Sequence, residues 1–432
     1  MDPVNDQPVR ESEVAAMLET SKTMAEKAVD DAKKIGSGEH MELTEKYGAH
    51  NYHPLPIVIA KGEGVWVWDV EGRKYMDMLS AYSALNQGHR HPKIVAAIKE
   101  QADRLTLTSR AFYNDRLGTF SKKLCELVGM DKCILMNSGA EAVETAIKMS
   151  RKWAYTVKGV PRDKAEIIVC EDNFHGRTTT IVGFSTEDQY KNGFGPFTPG
   201  FKVTPYGDAD ALQKAVNENT AAFLVEPIQG EAGVIVPKDG YLKRAREICS
   251  KNRVLLMTDE IQTGLGRTGK LFCYEHEGVT PDVLIVGKAL SGGFMPISAV
   301  LASDEVMGVF TPGDHGSTFG GCPIACAIGS AALDVIVKER LPERAAEMGA
   351  YFSSRLRAMK SPHVKEVRGK GLLIGVHVKD ESGTARPFCE KLMAEGILAK
   401  ETHKQVVRFA PPLVVSKDEI DWAMERIEKI FV

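Results

Sequence analysis

The chain has 432 residues, 43 % hydrophobic and 26 % charged, with a formal net charge of -3. That is enough for two or three domains with a large core, and it carries no general attraction for nucleic acid or anionic membrane. No stretch reaches the roughly 18 uncharged apolar residues of a membrane span, and the eight cysteines, with no C-x-x-C pair, read as reduced core residues and not as a disulfide framework or zinc site.

The N-terminus has no apolar segment of the secretory kind, and it carries Asp2, Asp6, Glu11, Glu13 and Glu19, acids that mitochondrial presequences avoid. The expectation is a cytoplasmic protein, with the mitochondrial matrix open if a presequence has been removed. Residues 11–34 read as a helical arm with Val14, Met17, Leu18, Met24 and Ala28 near one face, ended by Gly36 and Gly38. Residues 61–79 read as strands joined by Gly-containing turns. From about 87 to 333 strands and helices alternate. Candidate strands at 133–136, 167–171, 222–226, 254–259 and 283–286 are continuously apolar, as strands buried on both faces should be. Helices are expected at 141–155, 242–251 and 323–338. The pattern predicts an α/β fold with a mostly parallel sheet between helices. After Leu341 a helix at 342–359, strands at 364–368 and 372–378, and a final helix at 417–431 predict a smaller α/β domain. The expected division is a helical arm (1–40), an N-terminal part of the small domain (41–86), a large domain (87–338) and the rest of the small domain (339–432).

Ligands of open α/β sheets collect at the carboxyl ends of the strands. Those ends here carry Asn137-Ser138-Gly139-Ala140, Phe174-His175-Gly176-Arg177, Glu226-Pro227 with Glu231 beyond, Asp259-Glu260-Ile261-Gln262, and Gly287-Lys288. One site explains them better than five coincidences, and few of these residues are good metal ligands. Lys288 either snorkels to water from a strand end or, desolvated, becomes a nucleophilic amine. Asp259, 29 residues earlier (288 − 259), either pairs with that lysine or faces the protonated ring nitrogen of a cofactor such as pyridoxal phosphate. Ser138 is a helix cap with Glu141 as its partner, and the same helix start can cradle a phosphate. Phe174 is either core or a lid for a flat ring, and Arg177 either a surface ion pair or a carboxylate receptor. The run GLGRTGKL at 264–271 imitates a nucleotide-binding loop, but Leu271 stands where a hydroxyl should hold magnesium.

In this order the pieces resemble the fold-type I pyridoxal-phosphate enzymes, and within them the class III aminotransferases. LLMTDEIQTGLGRTGKLF and PDVLIVGKALSGGFMPISAV carry the match, which extends over nearly the whole chain from about Tyr47. YGAHNYHPLP, NQGHRHPKI, GDHGSTFGG and VVRFAPPLV resemble the ornithine aminotransferases in particular. The resemblance implies a large domain with a seven-stranded, mostly parallel sheet, and pyridoxal 5′-phosphate bound covalently to Lys288. Asp259 would face the ring nitrogen and Gln262 the ring hydroxyl. Phe174 would stack on the ring with His175 beside it. Ser138, Gly139 and Ala140 would hold the phosphate, and Ser317 and Thr318 would complete that site from the other subunit of a homodimer. Tyr52 and Arg177 would hold the α-groups of L-ornithine, and Tyr82 would shape the channel. Glu231 would mask Arg408 until 2-oxoglutarate needs it. The implied activity is δ-amino transfer from ornithine to 2-oxoglutarate, with no metal, nucleic acid or membrane partner. Other ω-aminotransferases, acting on N-acetylornithine or 4-aminobutyrate, remain open, as does, further off, a glutamate-semialdehyde aminomutase. Cys322 departs locally from the family pattern, which has asparagine there.

Overall fold

The computed structural model describes residues 20, 21 and 35–432. Of the expected helical arm only Thr20 and Ser21 are described, and both are helical; the rest of 11–34 lies outside the described residues. The chain divides into two compact units, residues 1–62 with 67–74, and residues 63–66 with 75–432.

In the first unit Gly36 caps the start of a helix, Ser37–Tyr47, with Gly38 in its first turn. The acceptor that starts it comes from far along the chain. The Glu71 carboxylate takes the Ser37 amide at 2.8 Å and its hydroxyl at 2.7 Å, satisfying a donor that every helix start leaves unpaired. Strands β1 (Ile59–Glu63), β2 (Trp66–Asp69) and β3 (Lys74–Asp77) fall where the Gly-punctuated pattern put them.

The second unit is built on a seven-stranded sheet in the order β4-β10-β9-β8-β7-β5-β6. Its strands are β4 (Lys132–Met136), β5 (Glu166–Cys170), β6 (Phe201–Thr204), β7 (Thr220–Val225), β8 (Leu255–Asp259), β9 (Val283–Val286) and β10 (Ser298–Ala302). Only β10 runs against the others, being antiparallel to both β4 and β9. All residues of β7, β8 and β9 are buried, because helices cover both faces. Each large aliphatic side chain hidden this way contributes about 1.5–3 kcal/mol. The five expected strands are present within two residues of their expected ends. Two strands of this sheet have no counterpart in the sequence reading: β6, a half-buried edge strand with Lys202 in its middle, and β10.

The helix expected at 141–155 starts two residues earlier, at Gly139, because its capping box sits on Ser138. It passes after Trp153 into a π-turn, Ala154–Lys158. Helices Tyr241–Lys251, Pro323–Lys338, Leu341–Ala358 and Lys417–Phe431 follow the expected positions closely. Past the large sheet, β11 (Val364–Lys370), β12 (Leu373–Val378), β14 (Lys400–Thr402) and β15 (Val406–Phe409) form an antiparallel sheet. A two-residue strand, β13 (Ile397–Leu398), pairs in parallel with Met76 and Asp77. The GLGRTGKL run is an interior loop with Arg267 fully buried, followed by a short 3-10 turn, Cys273–Glu277, and not by an α-helix whose dipole could hold phosphate.

Candidate active site

Neighbouring parallel strands bring their carboxyl ends to one edge, so residues just past β4, β5, β7, β8 and β9 converge. A cavity of about 210 Å³ opens there, with Gly139, Phe174, His175, Glu226, Asp259 and Lys288 in its wall. The register of β8 on β9 sets Asp259 opposite Ile285, three residues before Lys288.

Lys288 follows Gly287 with φ +41, a left-handed conformation that costs a side-chain-bearing residue about 1–3 kcal/mol and collects at functional sites. Burial lowers its pKa; Glu231 and Asp259 pull it back up, and Arg408 pushes it down further. Its amine is thus nearer to neutral, and to nucleophilicity, than a surface lysine. The lysine–aspartate pair that the sequence allowed does not form. Asp259 pairs with His175 instead, Oδ2 to Nδ1 at 2.7 Å, and its other oxygen accepts the Ile261 amide at 3.0 Å. Burial by itself would lower the pKa of His175, but the hydrogen bond and charge of Asp259, with Glu226 beyond, raise it. The Nε2 of His175 is buried without a partner. Glu226, at the end of β7, accepts the Phe174 amide at 3.0 Å. Burial and the nearby Asp259 push its pKa to about 8, against the pull of His175. Sequence reasoning saw Glu226 only as a strand end, because its partner is a backbone amide 52 residues away.

Ser138 accepts the Glu141 amide at 3.2 Å, and Glu141 in turn accepts the Ser138 amide at 2.7 Å. This capping box leaves the Gly139 and Ala140 amides without an intrahelical acceptor, facing the cavity they line. A Cβ on Gly139 would lie 2.9 Å from Ile261 Cδ1, so a larger residue here would push that side chain aside. Ser317 is tied to the same loop: its hydroxyl accepts from Asn137 Nδ2 at 2.8 Å and from the Gly320 amide at 3.2 Å. Thr318 is exposed.

On the other wall Arg408, from β15, is 1 % exposed and donates to Glu231 at 2.6 Å. Burial would raise the Glu231 carboxyl, but Arg408, Lys288 and Gln262 hold it down at about 2. Gln262 Nε2 donates to Glu231 at 2.9 Å, and its Oε1 lies 1.5 Å from where a Cβ on Gly230 would be, so a larger residue at 230 would displace the Gln262 side chain. Tyr82 sits in a four-residue left-handed turn, Ser80–Ser83, with its ring centroid 5.2 Å from the Arg408 guanidinium carbon. Arg177 is exposed and lies over the Tyr190 ring at 3.7 Å, a partner the sequence did not suggest. Tyr52 belongs to the first unit and is 72 % exposed. The structure thus gathers Lys288, Asp259, His175, Phe174, Gly139, Ala140, Gln262 and Glu231 at one cavity, with Arg408 bonded to Glu231.

The donor set fits pyridoxal phosphate. Two partnerless amides at a helix start suit a dianion, a carboxylate beside a polarised imidazole suits a ring nitrogen that must stay protonated, and a desolvated amine suits an aldehyde. The comparisons agree. The family model described as Aminotransferase class-III matches residues 47–431. An ornithine aminotransferase from Geobacillus sp. (strain WCH70) is 62 % identical over 393 residues, 91 % of this chain and 98 % of that one. Among solved structures, an ornithine aminotransferase from Toxoplasma gondii with partial occupancy of PLP at its active site is 49 % identical at a TM-score of 0.92, covering 94 % of this chain and 96 % of that one. An acetylornithine aminotransferase from Elizabethkingia anophelis is 51 % identical at a TM-score of 0.84, covering 92 % and 99 %. With the match running from residue 47 to 431 over this sheet and this cavity, the chain belongs to the class III aminotransferases, whose cofactor is pyridoxal 5′-phosphate.

Proposed function

We propose that this chain transfers the δ-amino group of L-ornithine to 2-oxoglutarate, giving glutamate 5-semialdehyde and glutamate. The observation that carries the reading is the Glu231–Arg408 pair beside Lys288. A site that takes a diamino acid and then a dicarboxylate needs a cation that can be hidden and shown, and a buried arginine held by one carboxylate is such a cation.

Bound pyridoxal phosphate supplies an electrophilic aldehyde carbon and a ring that withdraws electrons. The chain's own residues do the rest. Gly139 and Ala140 amides, with Ser138, would hold the phosphate. Phe174 would cover the ring, and Glu226 fixes the backbone of Phe174. Asp259, oriented by His175, would keep the ring nitrogen protonated. Lys288 would hold the aldehyde carbon, and its free amine would take the proton from Cδ as a general base, a role its lowered pKa favours. Gln262 serves the ring hydroxyl and, through its bond to Glu231, links the cofactor side to the substrate side. Tyr52 and Arg177 receive the α-amino and α-carboxylate groups of ornithine while Tyr82 limits the channel.

A homodimer in which Ser317 and Thr318 complete the partner's phosphate site belongs to the same reading, as do a cytoplasmic location and the domain division at 87–338 and 339–432. Exposed aromatic side chains at Phe112, Tyr113 and Phe319 support an interface. Among the described residues no helix is long and apolar enough to cross a membrane.

The test is a panel of amino donors in single turnover, followed by spectrum and product. Ornithine should convert the enzyme to its amine-carrying form and release an aldehyde, and 2-oxoglutarate should restore the starting spectrum. Faster conversion by N-acetylornithine or 4-aminobutyrate, or turnover without 2-oxoglutarate, would replace this reading with one of its competitors.

A further inference from the structure

The GLGRTGKL run has no part in the chemistry above, yet it carries a fully buried charge. Arg267 is 0 % exposed, and none of the described carboxylates pairs with it. Its fork closes on three oxygens of distant segments. Nη1 donates to Leu372 O at 3.0 Å and Pro411 O at 2.6 Å, and Nη2 donates to Asn86 Oδ1 at 2.6 Å. Its Nε has no partner. Burial pulls its pKa down to about 9, with Asp77 opposing and Arg408 adding to the fall, so the guanidinium is still charged at neutral pH.

An unpaired buried cation is a costly way to join loops, since apolar packing would do it without desolvation. What it joins explains its presence. Pro411 is three residues past Arg408 on the same strand exit. Asn86 is four residues past Tyr82, and its Nδ2 reaches back to Leu265 O at 2.9 Å while its carbonyl accepts from the Leu413 amide at 2.9 Å. The two segments are also bonded to each other: Ser80 Oγ donates to Ala410 O at 2.7 Å, and the Ala410 amide donates to Met78 O at 2.6 Å. Asp77 accepts the Leu79 and Ser80 amides at 2.8 Å each and holds His89 at 2.8 Å, which pins the entry of the left-handed turn. Arg267 therefore ties the root of Arg408 to the root of Tyr82, alongside the Ser80–Ala410 bond.

We propose that Arg267 is a positioning residue for acceptor recognition: from behind the cavity wall it fixes the two short segments that aim Arg408 and Tyr82. Lysine offers a point charge on a flexible stem and cannot reproduce the planar fork, so the role is specific to arginine. The proposal rests on the reading of Arg408 as the receptor of the 2-oxoglutarate carboxylate. Ornithine needs only that Arg408 be masked, so disturbing the aim of Arg408 should weigh on the acceptor half of the cycle.

The experiment uses holoenzyme of three forms: unaltered, Arg267→Lys and Arg408→Gln. It reads the single-turnover rate with ornithine, KM for 2-oxoglutarate, calorimetric binding of glutarate (a dicarboxylate without a reacting carbonyl) and the melting temperature. Arg267→Lys should raise the 2-oxoglutarate KM and the glutarate Kd at least about tenfold while the ornithine step stays within about threefold. Equal losses in both halves, or none in either, would overturn the proposal and leave Arg267 a purely structural tie. If Arg408→Gln leaves the 2-oxoglutarate KM unchanged, the reading beneath it fails first, and the proposal with it. If Arg267→Lys does not fold, Asn86→Ala removes one of the three acceptors. It should show the same split at a smaller factor, and an unaltered KM in that variant refutes the proposal.

Discussion

Replacing Glu231 with alanine is the sharpest test of the hidden-cation reading. Glu231 and Arg408 touch at 2.6 Å, with side chains 25 % and 2 % exposed. A carboxyl held at about 2 instead of the ordinary 4.5 corresponds to about 3 kcal/mol in favour of its charged form. Coulomb attraction at about 4 Å with an effective dielectric near 20 gives about 4 kcal/mol, the same size. Part of the stabilisation comes from Lys288 and Gln262, so about 2–3 kcal/mol is what a substrate carboxylate must overcome to take Arg408. Without Glu231 that cost disappears. Glu231→Ala should therefore lower KM for 2-oxoglutarate by up to about 100-fold. The uncovered guanidinium should also slow the ornithine step by at least about tenfold, because it captures the α-carboxylate and turns the substrate end for end. Glu231→Gln, which keeps an acceptor but not the charge, should fall between. Stopped-flow half-reactions separate the two effects. Unchanged kinetics in both halves, or faster reaction with ornithine, would refute the argument. The pH dependence has a definite sign. The pKa of Glu231 is depressed, so the pair's contribution is complete above about pH 4.5 and is lost as pH falls toward 2. Acid in the working range should not unmask Arg408.

Lys288→Ala should lose at least about 1,000-fold in turnover together with the visible absorbance of the holoenzyme. In the unaltered protein, borohydride reduction followed by peptide mass spectrometry should place the cofactor's mass on the Lys288 peptide. Asp259→Asn should release His175, whose pKa is raised largely by that carboxylate. Histidine NMR should show its titration moving down. The stabilisation from the pair, present at low pH and lost as pH rises through the folded-state pKa, should vanish with it. Gly230→Ala would put a Cβ 1.5 Å from Gln262 Oε1, so the Gln262 side chain must leave Glu231. Denaturant unfolding should register about 1–3 kcal/mol of lost stability.

The large sheet could be read from sequence because strands buried on both faces are written as unbroken apolar runs, such as VLIV in β9 and the LLM that opens β8. β6 could not, since an edge strand with a half-buried face and Lys202 within it carries no such run. The candidate site was legible to the extent that its residues sit at strand ends. Lys288, Asp259 and the Ser138 cap stand out as charges or caps beside apolar strands. Their partners did not stand out. His175 with Asp259, Glu226 with the Phe174 amide, and Arg177 with Tyr190 are set by strand order and loop course, which a single chain does not print. Of the two partners the sequence allowed Asp259, the lysine is not the one it takes: His175, brought in by the loop after β5, holds that carboxylate. The helix that starts at Ser37 was not legible, because the acceptor that caps it, Glu71, lies 34 residues away.

The reciprocal Ser138–Glu141 bonds have a consequence for how the protein gains and loses its vitamin-derived group. They satisfy the first donors of the Gly139–Trp153 helix with the chain's own carboxylate. A helix start capped in this way needs no other anion to hold its backbone. Stripped protein should keep its helix content and take up fresh vitamer quickly, without a slow refolding phase, so that dialysis against a scavenger is a reversible operation and not a denaturing one.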